Sequence, residues 1–153
     1  MQLKISDYLK PEAIIMEMKA KEKIAAINEL VAHMVKNKLV DDGKEFINAL
    51  AKRENLESTG IGDGIAIPHA RTNAVRALVL AFARSPDGID FSSIDGKPSH
   101  IIFLIASPEN MKSEYILALA KLSRLLRKRA VRELLRNAKD PDEIMEIIKK
   151  NEE

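Results

Sequence analysis

The chain has 153 residues, 46% of them hydrophobic and 31% charged, with a net charge of +2 and no cysteine. These values suit one domain over residues 1–153 with its own core. They exclude a disordered chain, a disulfide scaffold and thiolate chemistry, and give no strong pull toward nucleic acid or anionic lipid.

The N-terminal residues Met1-Gln-Leu-Lys-Ile-Ser6 lack the charged-then-apolar pattern of a signal peptide. The longest apolar run, Ala77 to Ala83, is far too short for a hydrocarbon core of about 30 Å. The expectation is a soluble, cytoplasmic chain without direct membrane insertion.

Ala13-Ile-Ile-Met16, preceded by Lys10-Pro11, reads as a first strand. From Lys21 to Lys38 the spacing of Ile24, Ile27, Leu30, Val31, Met34 and Val35 predicts an amphipathic helix with these residues on one face. Asp41-Asp42-Gly43 breaks that period and offers N-cap residues. The second helix then runs to about Arg53 and buries Phe46, Ile47, Ala49 and Leu50. Glu57 to Gly64 holds Gly60, Gly62 and Gly64, three of the six glycines, and is expected to be an irregular loop. Ile65-Ala-Ile67 is extended, because Pro68 disfavours helical geometry in the residue before it.

Leu78 to Ala83 and Ile101 to Ala106 are unbroken apolar runs bounded by the turn signals Ser85-Pro-Asp-Gly88 and Asp95-Gly-Lys-Pro98. Continuous rather than alternating, they read as strands covered on both faces. The helical period returns at Ser113 with Ile116, Leu119, Ala120, Leu122, Leu125 and Leu126, then Val131, Leu134 and Leu135. Asp140-Pro-Asp-Glu143 combines an N-cap, a first-turn proline and a capping-box acid before a helix burying Ile144, Ile147 and Ile148. The order predicts an α/β fold: a single three-layer domain, with a central mixed β-sheet flanked by helices on both faces.

Of the three histidines, His33 falls within the first helix, off its apolar line, and is expected to face solvent. His100 precedes an apolar strand and suits a turn or strand-edge role. His69 differs: Gly64-Ile-Ala-Ile-Pro68 delivers it to the point where the chain leaves the sheet, and Pro68 stiffens the approach. Amides of Gly60, Gly62 and Gly64 can form an anion-binding concavity beside it. From the residues alone two readings stand, a phosphoryl-bearing imidazole or a histidine ending a strand beside a tight turn.

Other glycine motifs fail. Ile65 occupies the place of the third glycine in a dinucleotide fingerprint, and Gly96-Lys97 is followed by Pro98 rather than by Ser or Thr. No two histidines have metal-ligand spacing, and there is no serine-hydrolase elbow, so no metal or cofactor is expected. The basic stretch of Lys121, Arg124, Arg127, Lys128, Arg129, Arg132 and Arg136, against Glu133 alone, reads as a solvated helix face. With aromatics at 4%, few stacking platforms exist for single-stranded nucleic acid.

The segment Arg53-Glu-Asn-Leu-Glu-Ser-Thr-Gly-Ile-Gly-Asp-Gly-Ile-Ala-Ile-Pro-His-Ala-Arg71 closely resembles a known phosphorylation-site signature. That signature belongs to enzyme IIA domains of the fructose–mannitol class, in the bacterial phosphoenolpyruvate-dependent phosphotransferase system, which includes nitrogen-regulatory IIA proteins. Gly88-Ile-Asp-Phe91, Asp95-Gly-Lys-Pro98, Ile102-Phe-Leu-Ile-Ala106 and Leu117-Ala-Leu-Ala-Lys-Leu-Ser123 extend the resemblance over nearly the whole chain.

The resemblance implies that His69 accepts a phosphoryl group from the histidine-containing phosphocarrier protein. It implies that Arg53 lies near that histidine, where a guanidinium pairs with phosphate oxygens. Ser58 and Thr59 match the loop packed beside it, as possible hydrogen-bond donors. Where family members often carry a second histidine, this chain has Tyr115, whose phenol does not ionise near neutrality. Three roles follow: a carrier passing phosphoryl to a sugar-specific enzyme IIB or permease, a regulatory IIA protein with its own target, or an interaction domain that is not phosphorylated.

Overall fold

The computed structural model describes residues 3–152; Met1 and Gln2, part of the signal-peptide reading, and Glu153 lie outside the described residues. In chain order the elements are α1 (Ile5–Tyr8), β1 (Leu9–Ile15), α2 (Lys23–Lys36), α3 (Gly43–Leu56), β2 (Gly60–Gly62), β3 (Ile65–Ala66) and β4 (His69–Arg71). They continue with β5 (Val79–Ile89), β6 (Ser99–Ser107), α4 (Lys112–Arg127), α5 (Arg129–Asn137) and α6 (Pro141–Asn151).

The six strands form one mixed sheet in the order β1-β5-β6-β3-β2, with β4 also paired to β6. The β5–β6 ladder is antiparallel, and β1 on β5, β3 on β6 and β4 on β6 are parallel. Helices α2 and α3 pack together, touching β1, β5 and β4, while α1, α4, α5 and α6 form a second group against β1, β5 and β6. Both faces of the central strands are thereby covered, so Val79 to Ala83 and Ile101 to Ser107 are buried without alternation. Phe82 and Phe103 sit opposite one another in register, edge to face at 5.0 Å between ring centroids, and both are fully buried.

Side-chain caps set the helix starts. Glu22 accepts the amides of Ile24 and Ala25, so α2 begins two residues later than its apolar period suggests. Asp42 and Asp140 cap α3 and α6 through the amides of Glu45 and Glu143, as their sequence signals predict.

Several expectations need correcting. The short helix α1 has no counterpart in the sequence reading, and β1 begins at Leu9, running through Pro11 at the sheet's edge, where a missing N–H is tolerated. Ile24 and Val35 flank the buried stripe of α2 and are exposed, as are Ile116 on α4 and Leu134 on α5; Ile47 and Ala49 are only half-buried. Ser85 to Gly88 does not end β5: the register with β6 slips between Arg84 and Ile89, and the strand pairs again afterwards.

The glycine-rich loop is also ordered differently. Gly60–Gly62 is a strand, and Asp63 (φ 56°) and Gly64 (φ 77°) make the two-residue turn that returns the chain into β3. Positive φ at both central positions is the type I′ geometry that matches strand twist.

Candidate functional site

His69 opens β4 rather than ending a strand. β3 pairs with β6 at Ile101 and Ile102; after Ile67-Pro68 the chain pairs with the same strand again, His69 opposite Ile105 and Arg71 opposite Ser107. Pro68 contributes its carbonyl to the Ile105 amide at 3.0 Å and needs no donor of its own. The imidazole is therefore held from a continuous sheet margin near the carboxyl end of β6.

The ring's orientation follows from one hydrogen bond. Nδ1 lies 2.7 Å from the carbonyl oxygen of Ile67, a group that can only accept, so Nδ1 carries the proton and Nε2 carries the lone pair. Arg53 Nε donates to that Nε2 at 3.3 Å, which agrees with the same tautomer. Arg53 arrives there from α3, whose Phe46, Leu50 and Glu54 point into the interior at four-residue spacing. One residue off that line, Arg53 lies at the helix margin, and its Nη1 is tied to the carbonyl of Glu57 at 2.7 Å.

Tyr115, at the start of α4, faces His69 with ring centroids 5.9 Å apart and planes tilted by 53°. Burial, opposed by the charges of Arg53 and Arg71, pushes its phenol up to about 12. Burial also lowers the basicity of His69 from that of an ordinary imidazole, and Arg53 adds to this, while the Ile67 carbonyl and Glu54 act in the opposite sense. The site presents an imidazole of lowered basicity whose Nε2 lone pair accepts the Arg53 guanidinium, with a protonated phenol beside the ring.

His69, Arg53 and Tyr115 thus come together. The other expected residues have different partners. Ser58 Oγ donates to the Phe91 carbonyl at 2.6 Å and accepts the Gly60 amide at 3.0 Å. Buried Thr59 gives both its hydroxyl and its amide to Glu54. Gly62 pairs with Ile65 in the hairpin, and Gly64 accepts the amides of His100 and Ile101. A Cβ at Gly60 would lie 2.4 Å from Ser93 Oγ and 3.0 Å from Ser93 Cα, so the close approach of β2 to the Ser93 segment favours glycine there. The Asp63 amide is taken by Asp95 Oδ2 at 3.1 Å. These residues brace the segment leading to His69 in this conformation.

Sequence reasoning missed Glu54, the Ile67 carbonyl and the electrostatic reach of Arg71. Glu54 was detectable, because 46, 50 and 54 share a helix face and two of the three are apolar. Of the remaining histidines, His33 is half-buried and hydrogen-bonds through Nε2 to the Glu12 carbonyl at 2.7 Å, a correction to its expected solvent-facing place. His100 lies within β6, an interior strand of the sheet, rather than ahead of it, and its Nδ1 is 3.0 Å from the Ser85 carbonyl.

Part of the basic stretch serves the fold: Arg132 donates to the carbonyls of Leu126 and Arg127 at the end of α4, and Arg129 pairs with Glu133. Among the described residues no group of three or more His, Cys, Asp or Glu side chains is placed to hold a metal ion. No helix among them is long and apolar enough to cross a membrane.

Residues 7–151 match the family described as "Phosphoenolpyruvate-dependent sugar phosphotransferase system, EIIA 2". The chain is 39% identical over 150 residues to the PTS system fructose-specific EIIABC component of Bacillus subtilis; the match covers 98% of this chain but 24% of that protein. The crystal structure of nitrogen regulatory protein IIA-Ntr from Neisseria meningitidis superposes with a TM-score of 0.87 at 30% identity, covering 94% of this chain and 98% of that one. Enzyme IIAMTL of Escherichia coli, solved in complex with phosphorylated enzyme IIBMTL, superposes at 0.78 with 25% identity, covering 93% and 99%. The family match over residues 7–151, with the agreeing fold, leads to one conclusion. The chain belongs to the EIIA 2 family of the phosphoenolpyruvate-dependent sugar phosphotransferase system.

Proposed function

We propose that this chain is a cytoplasmic phosphohistidine carrier that takes a phosphoryl group onto His69 Nε2. The observation that carries this is the 2.7 Å contact from Nδ1 to the Ile67 carbonyl, which leaves the outward nitrogen as the nucleophile. The donor is the histidine-containing phosphocarrier protein in its phosphorylated form. The Nε2 lone pair attacks phosphorus in line, and the P–N bond to the donor breaks as the bond to Nε2 forms. The electron pair of the broken bond stays with the donor ring, which carries a proton on its other nitrogen and leaves as neutral imidazole; His69 Nδ1 keeps its proton on Ile67.

Phosphoryl transfer of this kind needs positioning and charge stabilisation more than covalent assistance. Arg53 supplies the charge: as phosphorus approaches, its guanidinium gives up Nε2 and pairs with the equatorial oxygens. Tyr115 offers a hydrogen bond from a phenol that stays protonated throughout the neutral range. Ser58, Thr59, Gly60, Gly62 and Gly64 support the acceptor by fixing the hairpin before it.

The phosphoryl group then passes to a sugar-specific enzyme IIB or permease, in line with the likeness to IIAMTL in its complex with phosphorylated IIBMTL. Similarity to IIA-Ntr favours a second use, in which the phosphorylation state of His69 sets binding to a regulatory target. The test is incubation with phosphoenolpyruvate and the two general carrier proteins. Wild type becomes labelled and His69→Ala does not; equal labelling of the two, or none in either, rejects the reading. Pull-down of a IIB domain or permease, as against a regulatory protein, separates the two uses.

A further inference from the structure

A buried ionic cluster lies behind the acceptor and touches none of the reacting atoms. The carboxylate of Glu54, with 4% of its side chain exposed, meets Lys23 Nζ at 3.3 Å. It also accepts the Thr59 amide at 3.1 Å and the Thr59 hydroxyl. Lys23 Nζ lies over the Phe91 ring, 5.7 Å from its centroid.

Besides the charge of Glu54, the cluster reaches the imidazole through backbone hydrogen bonds. The carbonyl of Thr59 accepts the Ile67 amide at 3.0 Å. The carbonyl of Ile67 accepts the His69 Nδ1 proton at 2.7 Å. Each link is a hydrogen bond whose geometry depends on the one before it. A buried carboxylate with one cation and two donors has few alternative arrangements, because breaking any of them strands a charge away from water. Moving Thr59 moves Ile67, and moving Ile67 loosens the bond that fixes the tautomer.

From this chain of contacts we propose that Glu54 is a positioning residue for His69, acting through Thr59 and Ile67 to hold the neutral ring in its Nδ1–H tautomer with Nε2 aimed outward. This rests on the reading of His69 as the phosphoryl acceptor, but its structural consequences can be measured without any transfer. Lys23, 3.3 Å from the carboxylate, is the cation that holds it in place.

The charged and titratable groups around the imidazole are Arg53 and Glu54 from α3 and Tyr115 from α4, with Arg71, two residues along β4, acting on the phenol. Of these, only Glu54 contributes a negative charge that favours the protonated ring. Glu54→Gln removes that charge and keeps the shape; Thr59→Val keeps the charge and removes the hydroxyl link.

Nitrogen-15 NMR of the histidine rings reads the tautomer and the titration directly, and labelling from the phosphorylated donor reads the rate. Glu54→Gln is expected to mix the tautomers, move the His69 titration to lower pH and slow labelling roughly two- to thirtyfold, the range over which such networks modulate coupling. Thr59→Val is expected to mix the tautomers and slow labelling without that downward titration shift. If both variants keep the wild-type tautomer and titration and only melt at lower temperature, the cluster is structural and the proposal is overturned. Should Glu54→Gln not fold, the tautomer in Thr59→Val decides. If wild-type His69 takes no phosphoryl group, the carrier reading fails, while the tautomer and titration results still judge this proposal.

Discussion

Replacing Arg53 with Gln tests the electrostatics of the site in both the resting and the phosphorylated state. In the resting state the guanidinium donates to His69 Nε2 at 3.3 Å and, after burial, is the next influence holding the imidazole's basicity down. Its removal is expected to move the His69 titration upward, so the acid limb of the labelling rate also moves to higher pH. The sign for stability follows. A histidine with lowered basicity in the folded state contributes stability that is complete above its unfolded value near 6.5 and is lost as pH falls through its folded value. Arg53→Gln narrows that window.

In the phosphorylated state, one charge-assisted hydrogen bond contributes about 1.5–3 kcal/mol, so losing it shifts the phosphorylation equilibrium against His69 by roughly 10- to 150-fold. The assay is the equilibrium distribution of label between donor and acceptor at several pH values, with the ring titration followed by NMR. An equilibrium within about twofold of wild type and an unmoved titration would refute the assignment of Arg53 as the phosphate partner.

Tyr115→Phe is expected to slow labelling by a factor of about 2 to 12, the worth of one neutral hydrogen bond, and to leave the pH profile between 6 and 9 unaltered, because the phenol titrates at about 12. A new ionisation in that interval on making the variant would contradict this. Phe82→Ala is expected to cost about 3–5 kcal/mol in denaturant unfolding, since the ring is fully buried and stacked edge-on against Phe103; a loss below 1.5 kcal/mol would mean that the core closes around the gap. Gly60→Ala is expected to destabilise by about 1–3 kcal/mol, because the new methyl meets Ser93 Oγ at 2.4 Å, and unchanged stability would show that the Ser93 loop yields freely.

Much of this was legible in the residues. The unbroken apolar runs ending at Ala83 and Ala106 mark doubly covered strands, and Asp140-Pro141 marks the start of α6. The signature from Arg53 to Arg71 brings two of the three grouped site residues into view before any coordinates. What was lost was lost for physical reasons. Asp63-Gly64 is a strong two-residue hairpin signal, but the strands it joins are too short and glycine-rich to show alternation. Ser85-Pro-Asp-Gly88 looks like a turn because the same residue types build a bulge. Apolar Ile24 and Val35 fit the helical period but fall on the flank, where a single sequence does not reveal how wide the covering layer is. The place of Glu54 on the buried face of α3 was legible, but its partner Lys23, distant in sequence, was not.

The central claim is that the Ile67 carbonyl dictates which imidazole nitrogen does the chemistry. Phosphorus–proton correlation NMR of the labelled protein identifies the bonded nitrogen without ambiguity. The expected result is a single phosphohistidine at His69, attached through Nε2, with Nδ1 still protonated. Phosphorus on Nδ1, or on any other residue, would contradict the account.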